Sequence, residues 1–182
     1  MEWIDEVHAK IKRRNQVLFS KDSPLLQELR FLLDNQNHRT IVLWAFELAE
    51  EAVKTLEEKY PTEGRPRNAL EASKLWASGR IKMPAVKREI LNCHTLAKEM
   101  QSLEDSALCH ALGQACSTVH TSGHALGFPI YDLTAIVRKY GIAYCKTPVE
   151  IRTQEYIEKI MYWGSHYESY TGDWADFMLK SK

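Results

Sequence analysis

The chain has 182 residues, and its charges cancel, with 24 Lys and Arg against 24 Asp and Glu. That balance argues against a protein that grips DNA or RNA with its whole surface, and equally against an acidic mimic of nucleic acid. Apolar residues are 45% of the chain and charged residues 26%. This is the mix of a folded globular protein, and the length suits a single domain over residues 1–182 with a substantial core.

The N-terminal MEWIDEVHAKIKRR carries charge from its second residue, so it does not read as a signal peptide. No apolar run approaches the roughly 18 residues of a membrane span. None of the four cysteines, Cys93, Cys109, Cys116 and Cys145, falls in a CxxC pair. Cys93, Cys109 and Cys116 sit in apolar or small-residue stretches, where a thiol behaves as a small hydrophobe. Together these features predict a cytoplasmic protein with reduced thiols and no membrane or nucleic-acid partner.

Gly and Pro are few, eight and six, and they punctuate periodic segments. The pattern predicts an all-α fold: a single-domain antiparallel bundle of about seven to eight helices. Trp3, Val7, Ile11 and Leu18 predict an opening helix from about Glu2 to Phe19. Ser23 before Pro24 reads as an N-cap for a Leu-rich helix ending near Asp34. A long helix follows from about His38 to Tyr60, with Ile41, Trp44, Leu48, Ala52 and Leu56 inward and Glu47, Glu50, Glu51, Glu57 and Glu58 on the wet side.

Pro66 opens the next helix, with Ala69, Ala72, Leu75 and Trp76 inward and Gly79 as its stop. Pro84 opens another, whose seam is Val86, Ile90, Cys93, Ala97 and Met100. The stretch Leu103 to His120 carries Ala107, Ala111, Gly113, Ala115 and Cys116 on more than one face. That predicts a buried Ala/Gly/Cys-rich central helix with neighbours packed close to its backbone. A further helix carries Leu126 to Tyr140, with Pro129 in its early part and Gly141 at its end. Thr147 before Pro148 reads as the cap of a last long helix reaching about Tyr170, and Trp174 to Leu179 as a short terminal one.

Candidate chemistry is sparse. No HExxH, GxSxG, P-loop or GxGxxG occurs, and Ser122 beside Gly123 and His124 does not make a triad. His94, His120 and His124 are the only plausible members of a histidine cluster. His120 and His124 are four apart, but Gly123 lies between them and breaks their shared helical face. Arg65 and Arg67 flank Pro66 at a helix start, where backbone N–H groups also point outward, so they could hold a carboxylate or phosphate. The competing account pairs them with the Glu-rich 47–58 face, because residues 61–100 hold eight basic and four acidic side chains. The candidate ligand or anion site is therefore Arg65, Arg67, His94, His120 and His124. No catalytic residue, metal site or cofactor is assigned.

One set of segments resembles a known family. HRTIVLWAFELAE (His38 to Glu50), GRPRNALEASKLWASGRIKM (Gly64 to Met83), His94 with Ala97, and ALGQACSTVHTSGHALGFPIY (Ala111 to Tyr131) are similar to the putative immunity proteins of bacterial polymorphic toxin systems, in the family numbered five. The motif residues here are His38-Arg39, Leu43-Trp44-Ala45, Arg65-Pro66-Arg67, Trp76 with Gly79, and His120 with His124. The likeness covers roughly residues 38–140. Gly113-Gln114-Ala115 departs from the family's Gly-His-Ala, and Pro129 interrupts an alanine-rich helix.

The resemblance implies an all-α, non-catalytic protein that neutralises a cognate toxin by binding it. It also implies an architectural role for His38, Arg39, Trp44, Trp76 and Gly79. An alternative reading is a small-molecule or metal-dependent enzyme, which requires the Arg/His set to converge in one pocket. A third is a homo-oligomeric helical protein of unknown role, in the simplest case a homodimer.

Overall fold

Helices account for every regular element in a computed structural model that describes residues 2–181. The nine α-helices are α1 (Trp3–Lys12), α2 (Gln27–Asp34), α3 (His38–Lys59), α4 (Arg65–Ala77), α5 (Met83–Glu99), α6 (Leu103–Ser117), α7 (Gly127–Tyr140), α8 (Lys146–His166) and α9 (Asp176–Lys180). Three short 3-10 turns, Pro24–Leu26, Ser122–His124 and Tyr167–Ser169, complete the list of helical segments. Among the described residues there is no strand, and no helix is long and apolar enough to cross a membrane.

The predicted central helix is α6. Ala111, Ala115, Cys109 and Cys116 are fully buried, and α3, α4, α5 and α7 all pack against it. Small side chains allow that crowding, because they bring neighbouring backbones close on several faces at once. The thiols are packing groups: all four cysteines are free and buried, and burial pushes Cys116 up to about 12.

Several boundaries differ from expectation, each for a local reason. The opening helix stops at Lys12, and Arg14 takes a left-handed φ of 58°. Leu18 and Phe19 are buried from an extended segment instead, with the Leu18 N–H donating to Thr134 Oγ1 at 3.0 Å. Ser23 does not cap: Pro24–Leu26 form a 3-10 turn and α2 starts only at Gln27. Thr147 does not cap either. The Val149 N–H already donates to the Cys145 carbonyl at 3.0 Å, so α8 has begun before Thr147 is reached. That helix ends at His166, before Tyr170. Leu75 is exposed, because α4 turns Leu70, Ser73 and Ala77 inward in its place.

Pro129 produces no kink. It is the third residue of α7, where the missing N–H has no helical partner to lose. Gly79 and Gly141 end their helices at φ of 76° and 71°, as the stop signals required. Gly79 also lets the C-terminal segment close down on α4, where the Ala175 N–H donates to the Ala77 carbonyl at 2.7 Å.

Candidate functional site

A half-open groove of about 320 Å³ lies between the end of α4, the first half of α5 and the end of α6. Trp76, Met83, Ile90 and Leu91 form its apolar walls, and Lys87, Ser117, His94, His120 and His124 supply its polar atoms. The three candidate histidines therefore do converge. His120 and His124 share no helical face, but not because of Gly123: α6 already ends at Ser117, before His120, and the 3-10 turn Ser122–His124, which contains Gly123, returns His124 to the same groove.

Each histidine is held by a different device. His94 Nδ1 is 2.8 Å from His110 Nδ1, so one ring donates its N–H and the other accepts. The His94 ring packs against α6 at Gly113, where an added Cβ would stand only 2.5 Å from it. The glycine of the Gly-Gln-Ala stretch is thus what admits His94. Gln114 from the same stretch meets His124, Oε1 to Nδ1 at 2.9 Å. His120 stacks on Trp76, with centroids 6.2 Å apart and planes 20° apart, and Phe177 of α9 tilts against that Trp76 at 5.5 Å.

Burial lowers the His94, His110 and His124 imidazoles below the usual histidine range. The Lys98 and His124 charges add to the effect at His94, as His94 and Lys98 do at His110 and His120 does at His124. That lowering favours the neutral form of the three rings, and Lys87 is a cationic side chain of the groove lining. Among the described residues, no three His, Cys, Asp or Glu side chains are grouped as metal ligands.

The two arginines do not join this set. Arg67 forks onto Glu57 with bonds of 2.9 and 2.8 Å and onto Glu50 at 2.8 and 3.0 Å. Arg65 is bound by Glu63 and Glu99, each at 2.8 Å. Both face carboxylates of their own chain, so the Arg/His pocket required by an enzyme reading is not formed. Arg67 meets the Glu-rich helix α3, which precedes α4 by one short loop, whereas Arg65 meets Glu63 of that loop and Glu99 at the end of α5.

Of the motif residues, four are architectural. His38 is buried, bonding Ser181 Oγ at 2.8 Å and the Thr118 carbonyl at 2.5 Å. Arg39 sits 5.4 Å over the Tyr167 ring, Trp44 Nε1–H donates to the Tyr156 carbonyl at 3.0 Å, and Gly79 makes the turn described above. Trp76 is different, because it forms a wall of the groove.

Sequence reasoning missed a second polar cluster entirely. Asp132 on α7 accepts from the Tyr156 hydroxyl at 2.5 Å and from Arg152 Nε at 2.8 Å, both on α8. Arg152 Nη1 also reaches Glu51 and Glu155 at 2.8 Å each. Burial would lower the Arg152 guanidinium, but the Asp132 charge reverses this and raises it. Burial, reinforced by Asp132, also pushes the Tyr156 phenol well up. Asp132 and Tyr156 are buried, and every bond here joins groups that satisfy one another, so the cluster is a structural clamp of α7 and α8 onto α3. Only a Tyr with a buried acid at an unknown distance could have signalled it, and sequence spacing does not show that.

A family model described as "Imm-5 like putative immunity protein" matches residues 32–159 of the chain. No curated protein and no solved structure gives a significant match. The matched segment reaches beyond the motif-bearing stretch into α8, so it includes the Asp132, Arg152 and Tyr156 clamp as well as the walls of the groove.

Proposed function

This chain belongs to the Imm-5 like putative immunity protein family, and from that premise we propose that it binds a cognate bacterial toxin and neutralises it without catalysis. Family membership over most of the chain is the observation that carries the reading. The chemistry of the site supports it. The groove offers apolar walls and imidazoles that favour the neutral form, a surface suited to contact. The arginines that would have been needed for an anion-activating pocket are spent on Glu50, Glu57, Glu63 and Glu99.

The test is co-expression with the toxin encoded beside its gene. The expected result is survival of cells that the toxin alone kills, and co-purification of the two proteins as a stoichiometric complex. Unprotected cells and no complex would remove the proposal. On this reading the protein acts in the cytoplasm, where reduced thiols suit its four free cysteines.

A further inference from the structure

Around the groove, two kinds of surface are left unused by the chain itself. The first is apolar. Met83 is 41% exposed, Leu91 53% and Phe177 41%, and all three border or adjoin the groove through its wall residue Trp76. Large apolar side chains clustered at a cavity mouth are the signature of a contact surface, whereas single exposed ones are ordinary.

The second is positive charge. α5 begins with Lys82 at its N-cap and has no acidic residue in its first turn. Lys87 follows one turn later and lines the groove. A helix N-terminus already carries partial positive charge, so lysines there are unfavourable until an anion arrives. The neighbouring arginines have partners, Arg80 with Asp173 at 3.5 Å and Arg88 with Glu89 at 3.4 Å. Neither Lys82 nor Lys87 pairs with an acidic side chain among the described residues.

We propose that this groove is the toxin-docking site, and that it receives an acidic segment of the toxin. One large aromatic or aliphatic side chain of that segment enters between Trp76, Ile90 and Leu91, while its carboxylates meet Lys82 and Lys87. The inference rests on the immunity reading and deepens it. A volume of about 320 Å³ holds one such side chain with part of its flanking backbone. An aromatic anchor would stack on the Trp76–His120 pair, and the free imidazole edges of His94 and His124 would satisfy polar atoms beside it. A nucleic acid is disfavoured, because two lysines against apolar walls neutralise few phosphates. Of the other exposed apolar residues, Ile151, Met161 and Tyr162 are strung along roughly 16 Å of α8 beside charges already paired within the chain.

Three variants test this against the toxin encoded beside the gene, with affinity and association rate measured at low and high salt. Leu91→Asp and the double variant Lys82→Glu/Lys87→Glu change exposed side chains and leave the core intact. Leu91→Asp is expected to weaken binding by about tenfold or more. The lysine double variant is expected to lose about tenfold at low salt, mostly in association rate, with the deficit shrinking at high salt. Leu103→Asp, at 57% exposure on the far end of α6, serves as the control and keeps its affinity. If the unaltered protein binds the toxin and the groove variants bind equally well, the docking site is overturned while the immunity reading stands. If the unaltered protein does not bind, the immunity reading falls and takes this site with it.

Discussion

Lysines meet opposite fates on the wet face of α3 and around the groove beside α5. On α3, Glu47, Glu50, Glu51 and Glu57 are all claimed by Arg67 and Lys74 of α4 and by Arg152 and Lys159 of α8. Burial would raise the Glu50 and Glu51 carboxyls, but those cations more than reverse it and hold them below the usual range. Around the groove, Lys82 and Lys87 pair with no acidic side chain among the described residues, and burial lowers the His94 and His124 imidazoles below the usual histidine range. The lesson is that a net charge of zero says nothing about where charge is left over. One face consumes its own charge to hold helices together, and the other leaves its lysines without an acidic partner among the described residues.

The sharpest way to break this contrast is at its most buried point. Asp132→Asn should cost about 3 kcal/mol, because it takes away the buried carboxylate that Arg152 and Tyr156 share and leaves Arg152 only the more exposed Glu51 and Glu155. By urea denaturation or melting, that corresponds to a drop in Tm of roughly 10 °C for a chain of this size. A loss of less than about 1 kcal/mol would mean that the clamp is as dispensable as a surface pair.

Next comes the helix that carries the groove. Gly113→Val places a branched side chain where the His94 ring lies, and overpacking of this kind costs about 2–3 kcal/mol. It should also displace His94 from His110, which imidazole NMR signals would register. Unmoved signals would show that α6 accommodates the side chain elsewhere.

The groove also predicts a pH dependence. A histidine whose folded value lies below its unfolded one binds fewer protons when folded, so stability falls as pH drops through about 6.5 and stops falling below the folded value. The paired carboxylates of α3, whose values are lowered, contribute their own loss only below the ordinary carboxylate range. The two regions therefore separate on a pH axis. His94→Gln should flatten the loss between pH 7.5 and 5.5 while leaving the acid limb unchanged, as read by urea midpoints across that range. An unchanged slope would place the proton-linked loss elsewhere.

The smallest effect is expected from the α3 face itself. Arg67 is about one-third exposed, and its pairs with Glu50 and Glu57 are open to solvent. Arg67→Ala should cost no more than about 1 kcal/mol, and high salt should shrink that further. A cost rivalling Asp132→Asn would erase the distinction between exposed pairs and the buried clamp.

Much of the architecture could be read from residue order. The periodic segments gave the helices, the small-residue stretch gave α6 as the central one, and Pro66, Pro84, Gly79 and Gly141 marked ends that the chain observes. Leu18 misled because its periodic position served a tertiary contact to α7 rather than a longer helix. The site was half legible. His94, His120 and His124 were named together and do line one groove, while Arg65 and Arg67 follow the competing account and pair with carboxylates of the chain, Arg67 with the Glu-rich face and Arg65 with Glu63 and Glu99. Lys87 and the wall role of Trp76 carried no signal of their own, since one lysine and one tryptophan on helix faces look like any others.

What the order of residues fixed by itself is whatever depends on neighbours within a few turns: helix identity and most helix ends, the buried thiols, and the family to which the chain belongs. What only the tertiary structure decided is which charges meet. Asp132 finds Arg152 20 positions away, and Arg152 finds Glu51 101 positions away. Helices confer no preference among such distant partners until packing brings their faces together. The same packing sets Lys87 in the lining of an apolar groove and Lys82 at the start of the helix that carries it, with no acidic side chain paired to either among the described residues.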